Sequence, residues 1–500
     1  MDELRSSKYG SIAGYSGISK NNMGTDSSNQ SKTLPQYIAA LSVCMGAVAA
    51  GTVLGWTSNI SEKLKAKELN GILIDTEELG WIGSLATIGA MLMCFPIGSI
   101  CDFIGRKWGC ISTVVPFTLG WGLIICANGT GMIYAGRFLT GLAGGSFCVA
   151  APIYTSEIAQ KEIRGTLGSY FQLLLTVGIL IAYVAGAYMP VKAFSILCAM
   201  IPIAFAVIFF FQPETPVYFM KNNKPDEARS ALQRLRGSDY NCDKEIQDIK
   251  ASLEQNNETS VSFVDALKMK ASKKACLICF GLMMFQQLSG VNAVIFFTGN
   301  IFESAGSTLP SSIATIIVGV VQVIATFLSS VFIDKFGRKM LLLGSIAFMM
   351  LSEFVLGIFF SLKDRGLVSP ETASKIGILP VLCLIVFICA FSLGIGPIPW
   401  LISAELMPPE IKSVACSAAA TFNWLLAFIV TKNYASLQIA IGGDSTFYIF
   451  SSICFMGIFF IYLMVFETKG KSVAEVQAIL NGEKVDVNDG KAGIDNPAYK

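Results

Sequence analysis

Gly98-Ser-Ile-Cys-Asp102-Phe-Ile-Gly105-Arg106-Lys107 joins two long apolar runs, and Ser330-Val-Phe-Ile-Asp334-Lys-Phe-Gly337-Arg338-Lys339 joins two later ones. The pattern Asp, two residues, Gly, Arg, Lys therefore occurs twice, at equivalent points of two half-chains. An ionised group at a membrane edge is costly without partners. A charged turn repeated between hydrocarbon-length segments is thus a built feature, and the repetition indicates a protein made twice over.

Outward from the turns, the chain is 53% hydrophobic and 14% charged over 500 residues, which excludes a soluble globule. Apolar segments of about 20 residues recur, the length of a membrane-spanning helix. Twelve spans are expected, near 36–57, 79–100, 109–128, 131–155, 166–188, 192–212, 274–298, 311–333, 340–361, 378–403, 413–433 and 445–466. The polar stretch 213–273 divides them six and six. It reads as short amphipathic helices, one from Pro225 through Leu232 and Leu235 and one from Asp243 to Leu253. The expected architecture is an all-α membrane protein with a tail (1–35), a six-helix bundle (36–212), a helical linker (213–273), a second six-helix bundle (274–466) and a second tail (467–500).

Basic residues set the orientation. With the N-terminus in the cytoplasm, most of the 37 Lys and Arg are cytoplasmic, including both turns, the linker and the C-terminal tail. The first span then serves as the insertion signal, since the polar segment before it is not a cleavable leader. The net charge of +2 gives no nucleic-acid signal. Histidine is absent and the 14 Cys show no ligand spacing, so no metal and no cofactor are expected. The sequons at Asn59 and Asn128 lie close to span ends and read as unglycosylated. Asn496-Pro-Ala-Tyr499 has the form of an endocytic adaptor signal.

Polar groups inside spans are costly unless they face protein or a water-filled cavity. Gln172, Gln286, Gln287, Asn292, Gln322, Asn423 and Trp424 lie inside predicted spans. All are neutral, and each amide both donates and accepts. The set suits a polyhydroxylated ligand better than an anion or a cation, although such amides also bond helix to helix. In Gly394-Ile-Gly396-Pro397-Ile-Pro399-Trp400 the prolines and glycines must kink or unwind the tenth span. That opens it beside a cavity or leaves a packed kink. The Trp400 ring could stack on a sugar face. Glu353, in the ninth span, reads as a carboxyl paired to a neighbouring helix, or else as a proton site.

The two turns, with Arg137-Phe-Leu-Thr-Gly141, Tyr154-Thr-Ser-Glu157, Pro213-Glu-Thr-Pro216, Gln286-Gln-Leu-Ser-Gly290, Gly396-Pro-Ile-Pro-Trp400 and Glu467-Thr-Lys-Gly470, resemble the sugar porter branch of the major facilitator superfamily over residues 36–475. Gly51-Thr-Val-Leu-Gly-Trp-Thr-Ser58 and the run from Phe422 to Lys432 look most like the insect facilitated trehalose transporters. The resemblance implies a major facilitator fold and one central site reached alternately from each side. Gln172, Gln286, Gln287, Asn292, Gln322, Trp400, Asn423 and Trp424 would face the sugar, with Gly396, Pro397 and Pro399 as the helix break. Asp102, Arg106, Glu157, Arg164, Asp334, Arg338, Glu405 and Lys412 would form cytoplasmic salt bridges between the bundles that hold the outward-open state.

Departures from the pattern narrow the expectation. Ile295-Phe296-Phe297, Ser392 and Ala427 stand where many glucose carriers have more polar residues, which fits a roomier site for a disaccharide. Proton-coupled relatives pair an aspartate in the first span with an arginine in the fourth. Here the arginine is Arg137, but the matching position is Thr57. The expected function is uniport of trehalose or a hexose such as glucose at the plasma membrane, not enzyme chemistry. The alternatives are a proton-coupled symporter, which needs a carboxylate in the first span, and a non-transporting sugar sensor, which usually has a long tail.

Overall fold

A computed structural model describes residues 31–160, 162–258, 267–306, 309–366, 368–369, 376–408, 411–471 and 473–482. The adaptor-like Asn496 to Tyr499 lies outside the described residues. Ten helices are long and apolar enough to cross a bilayer, and the pair Thr76–Met93 and Pro96–Ile104, bent by 54°, adds an eleventh. The last of the ten, Val414–Met464, is 51 residues long. At about 1.5 Å per residue it far exceeds a ~30 Å hydrocarbon core. It turns at Gly442, where φ is 89°, and so holds two crossings. The total is the twelve that the sequence predicts, and no strand occurs among the described residues.

Three breaks shape the spans. Span 2 bends ahead of Pro96, which lacks an N–H and clashes with the preceding turn. Span 10 stops at Leu393 and resumes at Ile398, as its prolines and glycines predict. Span 7 departs from the expected continuous 274–298. It splits into Lys270–Leu288 and Val291–Ala305 at Gly290, which sits at φ 77°. Glycine alone adopts that conformation cheaply, and a Cβ there would meet the Phe450 ring at 2.6 Å.

Small residues let the helices touch backbone to backbone. A Cβ on Gly141 of span 4 would fall 2.0 Å from the Ala86 carbonyl oxygen of span 2. Outside the spans, Pro216–Lys221, Pro225–Arg236 and Asp243–Glu258 form the linker helices. They fasten to the first bundle. Arg236 Nη1 donates to the Ile158 carbonyl at the end of span 4 (2.8 Å), and its guanidinium pairs with Glu245 (2.7 Å). The sequence reading did not anticipate the tail helix Val473–Asn481. It fastens to the second bundle, where Gln477 Nε2 donates to the Leu406 carbonyl at the end of span 10 (2.9 Å).

Candidate functional site

Four of the predicted amides form one directed relay. Where span 10 is open, the carbonyls of Ile395 and Gly396 both accept from Gln286 Nε2 (2.7 and 2.8 Å). With its NH2 committed there, Gln286 has only Oε1 to offer span 11, and Asn423 Nδ2 donates to it (2.7 Å). Asn423 Oδ1 then accepts from Gln287 Nε2 (2.8 Å). Gln287 Oε1 in turn accepts from Asn292 Nδ2. The helix break therefore dictates which way every amide points. All four residues are buried, and no ionisable group takes part.

The other predicted ligands stay outside this relay. Gln322 of span 8 is buried, and its Oε1 has no partner among the described residues. Gln172 of span 5 and Trp424 of span 11 are half-buried, while Trp400 is 37% exposed beyond the break. Arg137 is fully enclosed and donates to the Ile82 and Val53 carbonyls (2.8 and 2.9 Å), with its charge 5.4 Å from the Trp56 ring centre. No carboxylate pairs with it among the described residues. Thr57 instead donates to the Phe296 carbonyl (3.2 Å). Glu353 is buried against span 12, where the Cys454 thiol donates to it (3.4 Å).

The charged turns build two matching clasps. Gly105 and Gly337 adopt φ 101° and 83° at the starts of spans 3 and 9. In the first clasp the backbone N–H groups of Arg106 and Lys107 donate to Glu214 (3.1 and 2.9 Å). In the second, those of Arg338 and Lys339 donate to Glu467 (both 3.0 Å). A carboxylate at a helix start satisfies orphan donors and opposes the positive end of the dipole. The side chains repeat the match. Arg106 pairs with Glu157 (3.0 Å), which also accepts from the Thr215 hydroxyl. Arg338 pairs with Glu405 (3.2 Å), which also accepts from the Thr468 hydroxyl. Asp102 bridges Arg106 and Lys221 (2.9 and 3.0 Å).

The ion pairs of this state lie inside each half. Every ion pair shown among the described residues closes within one bundle or its attached linker. Glu157 and Glu405 pair with bases in the same half as themselves. Arg164 donates to the Ala159 carbonyl (3.4 Å), and Lys412 is exposed. The Asp334 side chain lies outside those described. Sequence reading missed Glu214, Glu467, Thr215 and Thr468. Their signal was the repeated Glu-Thr dipeptide that follows each half's last span.

The bundles meet by hydrogen bonds at the end opposite the turns. Thr57 reaches Phe296 there, Tyr183 donates to the Ile295 carbonyl (2.8 Å), and Gly299 N–H donates to the Ser58 hydroxyl (3.3 Å). The second half of span 7 thus plugs the far end.

The profile of the sugar (and other) transporter family matches residues 8–480. The chain belongs to the sugar transporter family. It is 39% identical over 449 residues to the facilitated trehalose transporter Tret1 of Anopheles gambiae, covering 89% of this chain and 56% of that protein. To the Tret1 of Culex quinquefasciatus it is 38% identical over 451 residues, covering 90% and 86%. The chain thus spans only about half the length of the Anopheles relative. The xylose transporter XylE from E. coli, in a partially occluded inward open conformation, superposes with a TM-score of 0.72 at 21% identity, covering 87% of this chain and 99% of that one. This likeness places the chain in the twelve-helix major facilitator fold.

Proposed function

We propose that this chain is a facilitative sugar carrier, a uniporter that moves trehalose, or a hexose such as glucose, across the plasma membrane by alternating access. The observation that carries the reading is the uncharged amide relay tied to the unwound segment of span 10. Alternating donors and acceptors match sugar hydroxyls, whereas an anion or a cation would need an opposite charge. Gln172, Gln322, Trp400 and Trp424 complete the site around the relay. The trehalose transport named for the insect relatives supports the substrate class. On this reading the bundles are 36–212 and 274–466, and the turns, the linker 213–273 and both tails lie in the cytoplasm, as the excess of Lys and Arg at that end supports. The far-end plug then closes the outer side, and the described state faces inward. Arg137, held by carbonyls and without a carboxylate partner among the described residues, supports uniport over proton coupling. The clasps brace each bundle at the cytoplasmic gate.

The test is uptake of labelled trehalose and glucose into oocytes, normalised to surface protein. Gln286→Ala and Trp400→Ala should each lower uptake by about tenfold or more, the worth of one or two lost hydrogen bonds or a stacking face. Full uptake by both variants overturns the site.

A further inference from the structure

Span 11 presents Asn423, Ala427 and Thr431 at i, i+4 and i+8, a stripe along one side, and all three are buried. Asn423 belongs to the relay. Thr431 stands roughly 12 Å further toward the far end, at about 1.5 Å per residue. Its surroundings belong to the other bundle as much as to its own. A Cβ built on Gly83 of span 2 would lie 3.5 Å from Thr431 Cγ2 and 3.3 Å from the Phe297 ring. The Phe297 ring stacks on Tyr434, with centroids 5.6 Å apart and planes at 17°. Close by in sequence on the same two spans, Trp81 packs beside Phe428 at 6.3 Å. The seam between spans 2 and 11 is thus lined by aromatic rings.

The Thr431 hydroxyl, like that of Thr155 in span 4, departs from the pattern of most threonines in the spans. Thr52, Thr140, Thr176, Thr326 and Thr421 each return their hydroxyl to a carbonyl three or four residues back. Thr431 does not. It is fully buried, and its Oγ1 has no hydrogen-bond partner among the described residues. A buried hydroxyl left in this way costs free energy that pairing would recover. The seam in which it lies is the one that must part when the far end opens.

We propose that Thr431, with Ala427 beside it and Gly83 opposite, forms a second sugar subsite in the far-end-open state, taking the second ring of a disaccharide whose first ring lies on the amide relay. The inference rests on the carrier function proposed above. The short Ala427 side chain keeps the stripe clear between the two polar positions. The aromatic rings offer faces for the C–H side of a pyranose, and the Thr431 hydroxyl gains the partner it lacks when the seam is closed.

The test is initial-rate uptake of trehalose and of glucose by the full-length protein in proteoliposomes, resolved into KM and kcat. Thr431→Val keeps the shape and removes the hydroxyl, while Thr431→Ser keeps the hydroxyl. Thr431→Val should raise the trehalose KM about three- to tenfold, the worth of one neutral hydrogen bond, with kcat and the glucose KM unchanged. Thr431→Ser should retain the wild-type trehalose KM. An unchanged trehalose KM in Thr431→Val overturns the subsite. So does an equal shift for both sugars, which assigns Thr431 to the balance between states, or a serine variant that behaves like valine. Wild-type protein that carries glucose but not trehalose removes the subsite alone. Uptake of neither sugar removes the carrier function, and the subsite with it.

Discussion

Asn423→Leu is the substitution that the relay constrains most tightly. Asn423 makes two relay bonds, of 2.7 and 2.8 Å, and sits between partners that cannot turn to help each other. Gln286 cannot flip its amide, because Ile395 and Gly396 hold its NH2. Gln287 cannot flip without facing the Asn292 NH2 with its own. Replacing Asn423 by leucine therefore orphans one buried acceptor and one buried donor, at about 1–3 kcal/mol each. Even the lower sum, about 2 kcal/mol, is roughly a 30-fold change in apparent affinity at ~1.4 kcal/mol per decade. The assay is concentration-dependent uptake in oocytes with surface protein measured in parallel. The expected result is a KM raised by about 30-fold or more at normal surface level. The relay also predicts strong coupling. Asn423→Leu with Gln286→Leu should be little worse than either alone, because each already breaks the same chain. A wild-type KM in Asn423→Leu, or strictly additive losses in the double variant, would refute the relay as the sugar site.

Three further predictions concern the clasps and the coupling. Gly105→Ala or Gly337→Ala should each destabilise by about 1–3 kcal/mol, since they force a side chain into backbone space that glycine alone occupies, within 2.4 and 2.6 Å of the Glu214 and Glu467 carboxylates. Melting temperature in detergent checks this, with Gly98→Ala, which meets nothing within 4 Å, as the silent control. The two acids should respond oppositely to pH. Burial pushes the Glu214 carboxyl above the usual carboxylate range, only partly offset by the N–H groups of Thr215 and Lys107 and the Arg106 charge. Burial also pushes Glu467 upward, but the N–H groups of Arg338, Lys469 and Lys339 and the Arg338 charge outweigh it and hold it below that range. Glu467 therefore stabilises at neutral pH, and loses that contribution as pH falls through its folded value. For Glu214 the linked stability runs the other way and falls as pH rises through its raised value. Glu467→Gln should lower the melting temperature at pH 7, a difference that shrinks below about pH 4, whereas Glu214→Gln should not lower it at pH 7. Finally, sugar uptake in a voltage-clamped oocyte should leave cytoplasmic pH unchanged. Acidification in proportion to sugar would show that a carboxylate other than a first-span aspartate couples protons.

The spans were legible because hydrocarbon thickness imposes one length on every crossing, and the turns because they occur twice. The break in span 10 was legible because proline and glycine are local signals. The break in span 7 was not. Ser289-Gly290 carries a single glycine, and the need for it appears only with the Phe450 ring of span 12, which leaves no room for a Cβ. The amides were found through the cost of burying them, but the direction of their bonds depends on two carbonyls freed more than 100 residues away. The clasp acids were present in quoted motifs and still went unassigned, since Glu214 lies 108 positions from the Arg106 N–H that it accepts. The pairs inside each half were not legible for a related reason: charge sign is visible in sequence, while the choice of partner depends on which helix ends converge.

The two halves share a blueprint but break their helices at different places. Spans 7 and 10 of the second bundle are each interrupted, and Gln286 of the one bonds the open backbone of the other. Their counterparts in the first bundle, Leu34–Gly55 and Thr130–Ile158, run unbroken. In the first bundle the break falls in span 2, ahead of the charged turn, whereas in the second the breaks fall in the two spans that carry the relay. After duplication, the useful divergence lay in where each half interrupts its helices as much as in surface chemistry.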